Sequence, residues 1–512
     1  MNSATTATDN ADKPGSPPGG VGLVPRICLF VAVAIIVLLT AVRAWIWWRN
    51  HAGISFASGV MITMATDLKQ GVFYRPLYDY QGYGGTRYFP LYFSLHALLL
   101  KLGMPVIGSA YLLSAAAVLL LIFGTYYLLT GLGVEPWLAA CAAAVLLAST
   151  SVQMSLSTPQ ADGLAAALNV CGLAAIVRTP HSRRRVLLAS LLFTLAWSAK
   201  LTTAFGLATA FIWLMAIGCR RVAWLLAAAT GCGYLIVAGV MIAASCGRVI
   251  DIFRACASGG ADWRFVVTAP ARMESMAVYT DPALVMFAVL GLSLVLFLAF
   301  SLKLRQNLPA LFLIATMAIT LLIFGSPGTT GNHLLDVQVA SVILLATVLA
   351  KLASRSKELS VYGLALLTLI AVVPLLRQLT GWSRWYHPHQ FGKVIELIGP
   401  TGAPILSENP VIPVLAGQYP YVLDPWMIQL LRKRIPGFEE PLLERLRSRS
   451  FSAVVLSTGD PTQKGGQFWY ETVCFAPGFV SALTENYRLA SVIDRDWIYV
   501  PQTSSSDESK GE

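Results

Sequence analysis

Long apolar runs recur along this chain as far as residue 376, and no other feature constrains its fold as strongly. Each run approaches the roughly 20 residues that an α-helix needs to cross a bilayer. Of the 512 residues, 56% are hydrophobic and 12% are charged, which is about half the charged fraction of a typical soluble domain. The sequence therefore predicts a polytopic α-helical membrane protein with a more polar C-terminal part.

Hydrophobic length predicts about eleven membrane spans. The first, 27–48, ends in tryptophans, which are typical of the membrane interface. The segment 88–102 is apolar but short, and it carries His96 and Lys101, so we interpret it as an interfacial or re-entrant helix within a first outer loop at 50–107. The remaining predicted spans are 108–130, 136–152, 163–178, 186–199, 201–219, 222–245, 283–302, 308–324, 337–350 and 361–376.

The Lys and Arg residues predict the orientation of these spans. A net charge of +11 would suit a nucleic-acid-binding protein, but the basic residues concentrate in short turns on one side of the predicted spans. The positive-inside rule assigns that side to the cytoplasm. The segment 1–24, whose composition predicts disorder, then lies in the cytoplasm, and the C-terminal part lies outside. The basic turn residues are Arg178, Arg183, Arg184, Arg185, Arg220, Arg221, Lys303, Arg305, Lys351, Arg355 and Lys357.

Beyond residue 377 the pattern changes to short segments separated by Pro and Gly turns. We predict a small extracytoplasmic α/β domain at 377–501 and a disordered tail at 502–512. The predicted elements are strands at 403–407, 421–423 and 452–457, a helix at 442–449, and a closing strand pair at 487–494 and 497–500.

Polar residues that could carry chemistry lie in the predicted outer loops. Residues 58–90 hold the densest cluster of Asp, Arg, Tyr and Gly outside the apolar runs. Asp162 opens a later span, Lys200 lies between two spans, and His333 and Asp336 stand one helical turn apart. An ionisable group at the end of a span is costly unless it is solvated or paired. These groups are functional candidates, although Lys200 could equally snorkel to the interface and Asp162 could cap a helix.

Three motifs follow one another along the chain, namely Tyr88-Phe89-Pro90-Leu91-Tyr92, Thr158-Pro159-Gln160-Ala161-Asp162-Gly163-Leu164 and Ser198-Ala199-Lys200-Leu201-Thr202. Their order and sidedness resemble the GT-C superfamily of membrane glycosyltransferases. Within it, the resemblance is to the group of protein O-mannosyltransferases, aminoarabinose transferases and RgtA/B/C/D-like transferases. It covers residues 27–376 and implies a first span followed by a large outer loop with a catalytic acid.

The chain departs from that family at one place. Related enzymes usually carry an acidic residue near the start of the loop, ahead of the Gly that ends its first helix. Counting back from Gly71, Ser58 and Gly59 hold that place. Asp67 and Asp79 are the only acids left in the loop, so the catalytic acid lies elsewhere in the loop or the chemistry has been lost.

The resemblance implies an inverting transfer of a hexosyl or pentosyl group from a polyprenyl-phosphate sugar to an extracytoplasmic glycan, lipid or protein. Asp67 or Asp79 would take the proton of the acceptor hydroxyl. Arg87, with Lys200 and Arg75, would hold the donor phosphate, because cations stabilise a departing phosphate and arginine binds its oxygens in a bidentate way. The substrate site would also contain Asp162, Tyr88, Gly84, Gly85, His333 and Asp336.

Simpler roles stay open for several of these residues. Asp67 could be a solvated helix residue, Asp79 a turn aspartate and Arg75 half of a surface salt bridge. His333 and Asp336 are two possible metal ligands without a third, so a requirement for a divalent cation is left open.

Two other functions also stay open. A transporter or flippase of lipid-linked sugars should show broken helices and charges near the bilayer midplane. A non-catalytic membrane scaffold is favoured by the missing early acid. The charges of this sequence cluster at one predicted surface instead, which favours an interfacial enzyme.

Overall fold

The computed structural model describes residues 23–256, 263–280, 290–295, 307–326, 329–353, 363, 388–400 and 402–502. The predicted tails at 1–24 and 502–512 and the predicted spans 283–302 and 361–376 lie largely outside these residues.

The other predicted spans all contain helices, although the predicted span 136–152 is divided between two of them. The first fourteen helices that we number are α1 (Leu23–Arg49), α2 (Phe56–Lys69), α3 (Pro90–Lys101), α4 (Val106–Gly131), α5 (Pro136–Val145), α6 (Thr150–Ser157), α7 (Asp162–Val177), α8 (Arg183–Ala199), α9 (Phe205–Ala216), α10 (Arg220–Ala244), α11 (Arg248–Cys256), α12 (Trp263–Thr280), α13 (Leu308–Phe324) and α14 (Leu335–Ala353).

Several of these helices are suited to a membrane. In the part of the chain that the structure describes, four segments are long and apolar enough to cross one: Arg26–Arg49, Val106–Gly131, Arg220–Ala244 and Gly331–Leu352. The segment Pro136–Ala148, which includes α5, meets α6 at a bend of 72°, and the two together could form a fifth span. Three further helices, α7, α9 and α13, are apolar but shorter. The chain is thus a membrane protein with several apolar helices, and the count of eleven spans stays a prediction.

The first outer loop folds into two helices and a hairpin. Its first helix, α2, ends before Gly71, whose φ of +91° is a conformation that favours glycine. The hairpin consists of β1 (Tyr78–Asp79) and β2 (Gly82–Tyr83). The second helix, α3, has 12 residues and is therefore about 18 Å long, too short to cross a bilayer. Its position at the membrane surface stays a prediction.

The C-terminal part combines a four-stranded sheet with short helices. The strands are β3 (Ile405–Ser407), β4 (Ala453–Leu456), β5 (Tyr487–Ile493) and β6 (Asp496–Pro501). Their order in the sheet is β3-β4-β6-β5, with β3 parallel to β4 and the other pairs antiparallel. The helices are α15 (Phe391–Ile398), α16 (Val411–Leu415), α17 (Pro425–Leu431), α18 (Glu440–Arg447), α19 (Lys464–Phe468) and α20 (Phe479–Asn486).

The prediction of a strand at 421–423 is wrong, because this segment pairs elsewhere than in the predicted domain. This segment does not join the four-stranded sheet but pairs with the first outer loop through a single bridge between Val422 and Tyr83. Tyr83 N donates to the carbonyl oxygen of Tyr421 at 2.7 Å, and Leu423 N donates to that of Tyr83 at 2.9 Å. The backbone after residue 421 is thereby laid directly against the loop.

Candidate functional site

A buried ion pair fixes the middle of the first outer loop. Arg75 Nε and Nη2 donate to Asp67 Oδ2 and Oδ1, each at 2.7 Å. Arg75 Nη1 donates to the carbonyl oxygen of Pro420 at 2.8 Å, and the guanidinium lies 3.5 Å from the ring centre of Tyr419. Burial raises the pKa of the Asp67 carboxyl, and the hydrogen bonds and charge of Arg75 oppose that rise. Both carboxylate oxygens are therefore engaged in holding α2 to the C-terminal part.

Asp79 lies in the hairpin of the same loop. Its Oδ1 accepts the backbone N–H of Gln81 at 2.9 Å, which is the local bond of an aspartate in a turn. The side chain is half-buried. Asp79 thus stabilises the turn between β1 and β2.

A second set of charged residues meets where helices of the apolar part begin and end. Lys200, directly after α8, donates from Nζ to Asp162 Oδ1 at 2.5 Å and to His333 Nδ1 at 3.2 Å. Asn332 Nδ2 donates to the same oxygen of Asp162 at 3.2 Å. The charge of Asp336, at the start of α14, interacts with Lys200 and Asp162. Five residues from three separate stretches of the sequence thus form one cluster.

This set does not fit a divalent metal ion. The ammonium group of Lys200 bonds to both Asp162 and His333, and a cation already occupies the position between these two potential ligands. Within the described ranges, no three His, Cys, Asp or Glu side chains come together as a metal site.

Arg87 belongs to the first outer loop and interacts electrostatically with this cluster. Its guanidinium carbon is 3.8 Å from the ring centre of Trp426, so the group is stacked on an aromatic face. The charge of Arg87 interacts with His333 of this cluster and also with Asp424. Among the residues that the structure describes, no hydrogen bond engages its N–H groups, which leaves them available for an anionic ligand.

The adjacent Tyr88 is in the same electrostatic environment. Its hydroxyl group interacts with the charges of Asp424, Arg87 and Asp162. Tyr88 therefore interacts electrostatically with a carboxylate of the C-terminal part and with the carboxylate that begins α7.

Asp424 is the site residue that sequence reasoning missed. Its side chain is buried, and Oδ1 has no hydrogen-bond partner among the described residues. Burial raises the pKa of the carboxyl to about 6, while Arg87 and the N–H groups of Trp426 and Met427 oppose the rise. The position before a Pro at the start of a helix is typical of an ordinary cap. Only the pairing of segment 421–423 with the loop brings Asp424 beside Arg87.

The place of the missing early acid is filled by the C-terminal part. A Cβ atom on Gly59 would lie 2.1 Å from Asn409 Oδ1 and 3.0 Å from Pro410 Cδ. Asn409 is itself fixed, because its Nδ2 donates to the carbonyl oxygen of Ile54 at 3.1 Å and its Oδ1 accepts Val411 N at 3.2 Å. No side chain of any length fits at Gly59 without displacing Asn409.

The two predicted glycines of the loop are packed closely. A Cβ on Gly84 would lie 2.2 Å from Arg75 Cβ, and one on Gly85 would lie 3.0 Å from Leu431 Cδ1. Their backbone therefore passes through a space too narrow for larger residues. This close passage positions Arg87 two residues later.

The fold is similar to that of solved membrane transferases. The apo oligosaccharyltransferase of Archaeoglobus fulgidus has a TM-score of 0.59 and 12% identity, over 94% of this chain and 75% of that chain. The same archaeal enzyme, AglB, in complex with an inhibitory peptide and a dolichol-phosphate has a TM-score of 0.56 and 13% identity, over 94% and 74%. The arabinofuranosyltransferase AftD from mycobacteria has a TM-score of 0.51 and 16% identity, over 94% and 40%.

No protein-family model and no curated protein matches the sequence. At these low identities the likeness shows the fold. The fold expected from the sequence motifs is thus confirmed as one that these solved transferases share.

Proposed function

From this fold and the resemblance of the sequence motifs to the GT-C superfamily, we propose that the chain is an integral membrane glycosyltransferase that moves a sugar from a polyprenyl-phosphate donor to an extracytoplasmic acceptor. The similar archaeal enzyme is described with a dolichol-phosphate, a ligand of the same chemical kind. The observation that carries the proposal is the meeting of Arg87, Lys200 and Asp162 with the buried Asp424 beside one loop. Two cations and two carboxylates are what a transfer from a phosphate leaving group needs.

The cations would hold the donor phosphate. Arg87 has its planar face on Trp426, so its N–H groups are oriented before any ligand binds. Lys200 is held by Asp162 and His333. In this proposal Asp162, Asn332 and His333 position the lysine, and the phosphate binds between Lys200 and Arg87. Arg75 serves the fold instead, because all of its recorded hydrogen bonds go to Asp67 and Pro420.

The general base is best assigned to Asp424. A base needs an oxygen lone pair that can accept the proton of the acceptor hydroxyl. Both oxygens of Asp67 accept from Arg75, and an oxygen of Asp79 accepts from its own turn. Asp424 Oδ1 has no such partner in the described structure. The assignment of Asp67 or Asp79 as the base stays an untested prediction. The hydrogen bonds that these two carboxylates already accept make it a weaker assignment than that of Asp424.

Donor turnover by the purified chain tests the proposal. The protein in detergent would be incubated with polyprenyl-phosphate sugars labelled in the sugar, and release or transfer of the label would be measured. We expect turnover by the wild type and little turnover by Asp424→Asn. A transporter would move the donor across vesicles without releasing its sugar, and a scaffold would do neither. If the chain bound hexosyl and pentosyl donors but released the sugar from none of them, the proposal that it is a glycosyltransferase would be contradicted.

A further inference from the structure

A cleft lies beside the first outer loop and shares no residue with the cluster of Lys200 or with Arg87. The cleft has a volume of about 510 Å³, within the range of small-molecule sites. It is formed by the loop before the hairpin, by α11 and by the turn after α17. Its lining residues are Pro76, Leu77, Tyr78, Arg248, Asp251, Arg254, Ala255, Arg434 and Ile435.

The lining of the cleft is strongly basic. It contains Arg248, Arg254 and Arg434 against a single acid, Asp251. Three arginines around one space repel one another unless an anion or solvent separates them. Tyr78, whose side chain is 41% exposed, adds an aromatic wall.

Backbone contacts hold two of these arginines in place. Arg434 Nη1 donates to the carbonyl oxygens of Ala255 at 2.6 Å and of Arg254 at 3.3 Å. Arg248 Nε donates to the carbonyl oxygen of Ser245 at 2.9 Å. These bonds use only part of each guanidinium. The remaining N–H groups can serve a ligand without any large rearrangement.

The cleft adjoins a helix that is long enough to span a membrane. The helix α11 directly follows α10, which is one of the helices long enough to span. Its residues Val249, Ile252 and Cys256 are buried in a hydrophobic cluster that holds the helix in place. Cys256 Sγ would lie 3.6 Å from a Cβ on Gly85, so α11 packs against the first outer loop two residues before Arg87.

We propose that this cleft is an anion site that binds the phosphoryl group of a ligand other than the glycosyl donor. Planar guanidinium groups bind phosphate oxygens through paired hydrogen bonds. The volume leaves room for a sugar or glycerol unit beside the phosphate. The phosphoryl group comes either from a lipid headgroup at the surface or from a soluble phosphorylated glycan.

Binding of inorganic pyrophosphate tests the site independently of any transfer activity. The full chain would be placed in phosphatidylcholine nanodiscs and titrated by calorimetry, in an Arg87→Ala background that removes the proposed donor-phosphate contact. We expect saturable binding that weakens about tenfold or more in Arg254→Gln. The matched control is Arg488→Gln, on the exposed face of the edge strand β5, and it should bind as the background does.

A second arm identifies the source of the phosphoryl group. In nanodiscs that contain phosphatidylglycerol, loss of pyrophosphate binding would assign the site to a lipid headgroup, and unchanged binding would assign it to a soluble ligand. Either result supports the anion site. If pyrophosphate fails to bind, or binds equally to the background and to Arg254→Gln with equal thermal unfolding, the proposal is overturned.

Discussion

Two arginines of the same loop illustrate how little a residue type says about its role. Arg75 is buried in a bidentate pair with Asp67, whereas Arg87 stacks on Trp426 with its N–H groups uncommitted in the described structure. The sequence offers both as phosphate ligands, because each stands among aromatics in a loop. Only their partners separate a structural cation from a binding one.

Replacing Arg87 should remove donor binding. We expect Arg87→Ala to weaken the affinity for a polyprenyl-phosphate sugar severely. Arg87→Lys should restore little, because an ammonium group has neither the bidentate fork nor the face that stacks on Trp426. Equilibrium binding in detergent measures both. Arg445→Ala is a matched control, since Arg445 also lies over an aromatic ring, that of Tyr421, at 4.6 Å. Near-normal binding by Arg87→Ala would move the phosphate to Lys200.

Asp424 should show the signature of a catalytic carboxylate. We expect Asp424→Asn to lower turnover about 10²–10⁴-fold with donor affinity nearly intact. Because a base acts in its ionised form, wild-type turnover should fall as the pH drops through about 6. Asp79→Asn is the comparison, and it should keep most of its turnover and the same pH profile. If only Asp79→Asn abolished turnover, the general base would be assigned to Asp79 in the hairpin.

The variant Asp424→Asn should not destabilise the protein. The pKa of Asp424 is raised in the folded state from 3.8 to about 6. Stability is therefore lost as the pH rises through that interval, because the folded state holds the proton more tightly. Asparagine removes that cost, which amounts to at most roughly 3 kcal/mol. Thermal unfolding of Asp424→Asn at pH 7.5 should match or exceed the wild type, and a clear decrease would indicate a structural carboxylate.

At the scale of elements, the ion pair of α2 joins the loop to the C-terminal part. Asp67→Asn would leave the buried Arg75 without a counter-charge, and breaking a buried pair typically costs roughly 3–5 kcal/mol. We expect a lower unfolding temperature and a loss of folded protein. The control is Glu440→Gln, which breaks the exposed pair of Glu440 with Arg447 and should cost less than about 1 kcal/mol. Normal unfolding with lost turnover in Asp67→Asn would instead restore Asp67 as the base.

The contact of α2 with Asn409 should contribute to the stability of the protein. Gly59→Ala places a methyl group where Asn409 Oδ1 lies 2.1 Å away, and such overpacking typically costs roughly 1–3 kcal/mol. Its unfolding temperature should fall, and combining it with Asn409→Ala should cost less than the sum of the two single changes. Gly108→Ala is the control, because its nearest neighbour would be 3.7 Å away. Additive effects of the pair would exclude this contact as the cause.

At the scale of the whole molecule, the sequence predicts the helices and strands whose positions depend on the length and pattern of hydrophobic runs. The helices of the apolar part and most strands of the C-terminal part lie where apolar runs and turns place them, since membrane spans and alternating strands leave strong local patterns. The site depends on contacts between distant segments. Lys200 meets His333, and Asp424 meets Arg87, across more than a hundred residues. No local pattern marks such pairs, and for that reason the C-terminal carboxylate was not predicted.

The packing of loop and C-terminal part constrains the topology of the whole chain. Arg445 Nη2 donates to the carbonyl oxygen of Tyr80 at 3.4 Å, so the hairpin and α18 must lie on the same side of the membrane. The asymmetry of Lys and Arg predicts that this side is extracytoplasmic and that the turn at 178–185 is cytoplasmic.

Cysteine labelling in intact cells checks this arrangement. Single cysteines would be introduced at Gln81, Ser448 and Ser182 in a variant whose exposed native cysteines, Cys28, Cys232 and Cys246, are replaced by serine. An impermeant maleimide should modify the probes at Gln81 and Ser448 and spare Ser182 until the cells are opened, because only the first two face the outside. Labelling of Ser182 alone would invert the predicted topology while keeping the fold. Opposite labelling of Gln81 and Ser448 would contradict the packing of the C-terminal part on the loop, and with it the placement of Asp424 beside Arg87.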